Sequence, residues 1–150
     1  RVVEQNVRVM MRPAFRPPAL TTPTSVHPRI PILEMGLQDD GKYLTACLDV
    51  GADAVVIAAA GVGHVPVPLR DAAVGAVQVG VPVVLATRHG SGTTGTKSYA
   101  YPGSEVDCLA RGMIGAGYLS PRKARILLAV LCANGASVGE IKAQVELRGD

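Results

Sequence analysis

Between residues 30 and 86 the chain alternates short apolar runs with amphipathic stretches, and this alternation restricts its fold more than any other feature. Residues 30–35, 54–59 and 81–86 each read as a strand, the second of them (Ala-Val-Val-Ile-Ala-Ala) without one polar residue. A strand with no polar face is one covered on both sides, as in a parallel sheet flanked by helices. Between the first two, Asp39-Asp40-Gly41 opens a helix whose Leu44, Cys47 and Leu48 share a face, and Gly51 stops it. Between the second and third, residues 68–79 place Leu69, Ala72, Ala73, Ala76 and Val77 on one helical stripe that ends at Gly80. Strand–helix–strand–helix–strand at this spacing implies right-handed crossovers. Residues 106–111 then suggest a short helix and Met113-Ile114 a fourth short strand. The expected fold is a small three-layer α/β domain of Rossmann/flavodoxin-like kind, with a four-stranded, mainly parallel sheet and helices on both faces.

Two helices complete the pattern. Ser120 can cap the first amides of one, and Pro121 suits its first position because that N–H would have no partner. Ala124, Leu127, Leu128, Leu131 and Cys132 form one face, while Ile126, Ala129 and Val130 make the others apolar too. Such a helix is expected to pack on its own domain and to touch something else. Ser137-Val138-Gly139-Glu140 is a capping box opening the last helix, with Val138, Ile141 and Val145 expected to face inward. Ahead of the alternation, residues 7–12 could form an edge strand, and residues 12–31 form a linker by composition, held extended by repeated prolines. The chain thus divides into residues 1–29, an N-terminal strand and Pro-rich linker, and residues 30–150, the α/β domain.

Composition excludes several function classes. The 15 basic residues are scattered, the net charge is +3 and aromatics make up 3%, so no cationic stripe interleaved with aromatics exists for nucleic acid. No apolar run approaches the roughly 18 residues that span a bilayer. Cys47, Cys108 and Cys132 show no Cys-x-x-Cys spacing, so neither a disulfide framework nor a metal site is expected. They read as small hydrophobes in a reduced, cytoplasmic setting. The chain starts at Arg1 rather than Met, which points to a fragment of a longer protein or a trimmed one.

Ligands of open parallel sheets lie beyond the carboxyl ends of the strands, where two loops qualify. Gly61-Val62-Gly63-His64 follows the second strand; it lacks the third glycine of a dinucleotide fingerprint and reads instead as a tight turn. His64 there is either a structural histidine or a substrate contact and proton carrier. The second loop, Gly90-Ser91-Gly92-Thr93-Thr94-Gly95-Thr96-Lys97-Ser98, departs by one residue from a phosphate-binding P-loop. Tyr99-Ala100-Tyr101-Pro102-Gly103 supplies no helix after it, so the match reads as accidental. Arg88, His89 and Lys97 could still favour an anion, or could be solvated loop residues. No Gly-x-Ser-x-Gly elbow occurs. Asp39, Asp40 and Asp71 are explained as helix-start charges; Glu105 is either another or a ligand contact. The residues alone therefore yield two candidate loops and no complete catalytic set.

Taken together, Gly51-Ala52-Asp53-Ala54-Val55-Val56-Ile57, Gly61-Val62-Gly63-His64-Val65-Pro66 and Val81-Pro82-Val83-Val84-Leu85-Ala86-Thr87-Arg88 resemble the C-terminal domain of the bacterial L-asparaginase (asparaginase/glutaminase) family. The most specific part is Gly112-Met113-Ile114-Gly115-Ala116-Gly117-Tyr118-Leu119-Ser120-Pro121-Arg122-Lys123-Ala124-Arg125, close to the family's Gly-x-x-x-Ala-Gly-x-Leu-x-x-x-Lys-Ala-Arg run. The resemblance covers residues 28–148. It implies an amidohydrolase converting L-asparagine to L-aspartate and ammonia without a cofactor, its nucleophilic threonine on an N-terminal domain. It also implies a homo-oligomer in which this domain reaches a neighbour's active site. No catalytic residue is then expected here; His64, Gly63 and Glu105 are the implied substrate-binding residues. Where the family has Gly-Asn-Gly-Asn, Val62 and His64 replace the two asparagines. The alternatives are a stand-alone non-catalytic binding or regulatory module, and an unrelated flavodoxin-like nucleotide domain.

Overall fold

The computed structural model describes residues 2–3, 6–7, 15–24 and 27–150. Two short strands, β1 (Val2–Val3) and β2 (Asn6–Val7), pair antiparallel. The strand expected over residues 7–12 lies, beyond Val7, outside the described residues.

The expected alternation is present. β3 (Ile32–Glu34), α1 (Lys42–Asp49), β4 (Val55–Ala59), α2 (Val67–Gln78), β5 (Val83–Thr87), α3 (Glu105–Ala110) and β6 (Ile114–Gly115) follow in turn. α4 (Pro121–Ala133) and α5 (Val138–Gly149) close the chain. The sheet order is β3-β4-β5-β6 and all three pairings are parallel, with Val56 opposite Ile32 and Val84, and Val84 opposite Ile114.

β3 and β5 each start two residues later than their apolar runs, for one reason. Pro31 and Pro82 have no N–H to donate, so they enter the ladder only as acceptors, from Val56 N at 3.0 Å and Val55 N at 2.9 Å. The fourth strand is Ile114–Gly115 rather than Met113-Ile114, because Met113 N is spent on Cys108 O at the end of α3.

Period-two alternation divides β4 and β5 between two cores. Val55, Ile57, Ala59, Val83 and Leu85 meet Leu44 of α1, Leu69, Ala73 and Ala76 of α2, and Cys108 of α3. Val56, Val84, Ala86 and Ile114 meet Ala124, Leu127, Leu128 and Leu131 of α4 and Ile141 and Val145 of α5. Helices therefore cover both faces, as a sheet apolar on both sides requires. Burial drives Cys108, helped by the neighbouring Asp107 charge, up to about 12, so it behaves as a small hydrophobe.

The helix starts are chemically supported. Asp39 Oδ1 accepts from Gly41 N at 3.0 Å and Asp40 Oδ1 from Lys42 N at 3.1 Å. Ser137 and Glu140 form the reciprocal capping box. Val138, expected inward, is 45% exposed while Ile141 and Val145 are buried. It is the first residue of α5, in a turn whose residues 137–140 are all exposed. α4 is apolar on more faces than the sheet covers: Ala129 and Val130 are half-buried and Ile126 is 62% exposed. Part of its cover comes from the proline-rich segment, which has no regular structure over residues 15–23. Leu20 packs on the α4 core, Asn134 Nδ2 donates to Thr21 O at 2.8 Å, and Arg148 Nη2 to Pro18 O at 2.6 Å. No helix among the described residues is long and apolar enough to cross a membrane.

Candidate functional site

At the carboxyl edge of the sheet the loops after β3, β4, β5 and β6 are stitched into one surface. Arg88 N donates to Ala59 O at 2.9 Å, and its Nη1 reaches Met35 O at 3.0 Å. Gly95 N donates to Val62 O at 2.7 Å, and Gly61 N to His89 Nε2 at 3.2 Å. Thr94 is buried and exchanges two bonds with Gly117, its amide to Gly117 O at 3.2 Å and Gly117 N to its Oγ1 at 2.7 Å. The long segment over residues 88–104, rich in glycine, serine and threonine, is thereby anchored at several points. It contains no helix, and the next one begins only at Glu105, so the P-loop-like sequence has no helix terminus to hold a phosphate.

The turn after β4 is closed by Ala60 and His64, with His64 N donating to Ala60 O at 2.8 Å and Ala60 N to His64 O at 3.0 Å. Gly63 sits in this turn at φ +122°, where an L side chain is strained, and a Cβ there would come within 3.2 Å of Glu105 Cβ. The turn thus sends the His64 ring toward the start of α3.

There it meets Glu105. His64 Nε2 lies 3.1 Å from Glu105 Oε2, although the residues are 41 apart in sequence. Glu105 is 1% exposed, and its Oε1 accepts from Ser98 N and Tyr99 N, each at 2.8 Å. Burial pushes this carboxyl upward, but the amides of Tyr99, Glu105 itself and Ser98, joined by His64 when its ring is protonated, outweigh it and hold it below its ordinary value. The three residues implied by the resemblance, Gly63, His64 and Glu105, are therefore neighbours.

Two tyrosines complete the cluster, and neither was singled out as a contact from the sequence. The Tyr101 hydroxyl lies 2.8 Å from His64 Nδ1. The His64 ring is edge-on to Tyr99 at 4.9 Å and to Tyr101 at 5.4 Å between centroids. The available signal was Tyr99-x-Tyr101, two aromatics one residue apart in a chain that has four tyrosines and no Trp.

Behind them an ion network anchors the same loop. Ser104, fully buried, caps α3 through Asp107 N and donates its own hydroxyl to Tyr99 O at 3.0 Å. Asp107 accepts from Gly103 N at 2.8 Å, Arg70 Nη1 at 2.7 Å and Arg111 Nε at 2.9 Å. Burial works against its charge, yet Gly103, Arg111 and Arg70 hold the carboxyl down to about 2. The second oxyacid beside Arg70 is Asp71, whose Oδ1 lies 2.8 Å from Nε but out of line for a hydrogen bond.

Chemically, a buried carboxylate here holds an imidazole, which in turn holds a phenol. The Tyr101 phenol is bonded to His64, and no group of three or more metal-ligating side chains occurs among the described residues. Residues 29–144 match the Glutaminase/Asparaginase C-terminal domain. An L-asparaginase of Bacillus licheniformis is 33% identical over 107 residues, 71% of this chain and 33% of the relative. A probable L-asparaginase of Deinococcus radiodurans is 36% identical over 131 residues, 87% of this chain and 37% of the relative. L-asparaginase 2 of Bacillus subtilis is 39% identical over 103 residues, 67% of this chain and 25% of the relative. The chain spans between a quarter and somewhat over a third of the length of these curated relatives. With the match running from just before the first strand of the sheet into the last helix, the chain belongs to the glutaminase/asparaginase C-terminal domain family.

Proposed function

We propose that this chain is the C-terminal part of an L-asparaginase-type amidohydrolase, which converts L-asparagine to L-aspartate and ammonia. In this reading residues 30–150 form the domain and residues 1–29 a strand and linker. An N-terminal domain supplies the threonine hydroxyl that attacks the side-chain amide carbon; ammonia leaves, and water then hydrolyses the acyl-enzyme. The present chain contributes subunit contacts in a homo-oligomer and substrate-binding residues: His64, Gly63 and Glu105. The unpaired thiols fit a cytoplasmic setting.

The observation that carries this reading is the convergence of His64 and Glu105, from different loops, at the carboxyl edge of a parallel sheet. The names of the relatives and the fraction of their length spanned support the whole-protein activity. The exposed Ile126 side of α4 supports a contact with other protein. Ammonia release from L-asparagine tests it. The 150-residue chain alone is expected to release none. The polypeptide that joins it to an N-terminal domain is expected to be active, with KM raised by His64→Ala. Hydrolysis by the isolated chain, abolished by His64→Ala, would overturn the division of labour.

A second reading, a stand-alone non-catalytic binding or regulatory module, is favoured by one observation. Both ring nitrogens of His64 are engaged within the chain, and Val62 offers the turn no polar side chain. Binding of L-aspartate by a natural protein consisting of this domain alone would support it.

A further inference from the structure

We infer that Glu105 is a positioning residue that sets the tautomer of His64, and through it the polarity of the atom that the turn after β4 offers to a ligand. The inference rests on the proposal above that His64 faces substrate. It assigns Glu105 a role different from direct contact.

Glu105 is sealed from the surface. Its Oε1 is occupied by two amides and its Oε2 by His64 Nε2. Gly63 and Gly95 pack against it, each so close that an added Cβ would come within 3.2 Å of its side chain. An ionised carboxylate accepts hydrogen bonds and has none to give. Nε2 must therefore carry the proton in this pair, which leaves Nδ1 of the neutral ring as a lone pair. The Tyr101 hydroxyl, 2.8 Å away, donates to it. Tyr101 is about half exposed, so its hydroxyl stands where an incoming group would have to stand. A ligand group that replaces it must likewise be a donor, an ammonium or a hydroxyl; a carboxylate would set lone pair against lone pair.

Glu105→Gln reverses this logic without changing the shape. The Ser98 and Tyr99 amides still need an acceptor, so the Gln carbonyl takes the place of Oε1. Its NH2 then faces His64 Nε2. Since NH2 donates, Nε2 must become the acceptor, and the ring proton moves to Nδ1, which donates to the Tyr101 oxygen.

Ring-nitrogen NMR of the full chain, labelled with 15N-histidine at mildly alkaline pH, reads this directly. The His64 signals are identified by their loss in His64→Gln. The expected wild-type pattern is a protonated Nε2 and an unprotonated Nδ1, unchanged in Tyr101→Phe and inverted in Glu105→Gln. A wild-type ring protonated at Nδ1, or a folded Glu105→Gln protein that keeps its proton on Nε2, would overturn the assignment. Should Glu105→Gln not fold, a wild-type or Tyr101→Phe ring protonated at Nδ1 still overturns the assignment. Added L-aspartate is expected to shift wild-type Nδ1 and to bind at least tenfold more weakly to Glu105→Gln. Expected tautomers with no response of wild-type His64 to L-aspartate would uphold the positioning role and sink the substrate-contact reading instead.

Discussion

At the scale of single residues, two acids beside one loop show how burial and partners compete. Asp107 ordinarily titrates near 3.8, and in the folded chain Gly103, Arg111 and Arg70 hold it at about 2. A depressed carboxyl binds fewer protons folded than unfolded, so its contribution to stability is complete above its unfolded value and disappears as pH falls toward its folded one. The shift corresponds to on the order of 2 kcal/mol. Urea midpoints measured from pH 6 downward are therefore expected to fall between about pH 4 and pH 2, and Asp107→Asn is expected to flatten part of that fall. Gly63 is the second residue-scale test. An alanine there meets a left-handed φ of +122° and the Glu105 side chain together. Gly63→Ala is expected to cost about 1–3 kcal/mol in denaturant unfolding, and to weaken any ligand response of His64. The identities of His64, Gly63 and Glu105 as residues of interest were legible from strand ends and from a family resemblance. Their mutual bonding was not, because a hydrogen bond across 41 residues leaves no periodic trace in a sequence.

At the scale of elements, local chemistry and tertiary cover have separable signatures. Three helix starts that the sequence marked with a cap or charge are supported by a hydrogen bond: Asp39 and Asp40 before α1, Ser120 at α4, Ser137 at α5. Asp71, expected as a helix-start charge, lies beyond the first turn of α2 and sits against Arg70 instead. Ser137→Ala removes the hydroxyl half of the capping box, leaving the backbone bond to Glu140, and is expected to lower stability by about 1 kcal/mol. α4 offers an internal contrast. Leu128 is fully buried between the sheet and α5, so Leu128→Ala is expected to cost about 2–5 kcal/mol by leaving a cavity. Ile126, two residues earlier and 62% exposed, is expected to tolerate Ile126→Ala within about 0.5 kcal/mol in the isolated chain. The same calorimetric scan decides both. Val138 marks where periodicity misleads: its angle on the helix agrees with Ile141 and Val145, but the first turn of α5 is exposed over residues 137–140.

At the scale of the whole molecule, the architecture follows from apolar runs that repeat too regularly to be anything but strands alternating with helices. Because β4 and β5 are buried on both faces, they require two helical layers. The sequence by itself determined the parallel α/β class, the order of elements from β3 onward, most of the buried stripes and the capped helix starts, since each depends on neighbours within a few positions along the chain. The tertiary structure decided what the carboxyl edge became. It drew the glycine-rich loop down through Thr94 and Gly117, closed Tyr101 over His64, and buried Glu105 beneath both. These contacts depend on which residues of distant loops come to rest within about 3 Å of each other, a distance set by the packed sheet and not by spacing along the chain.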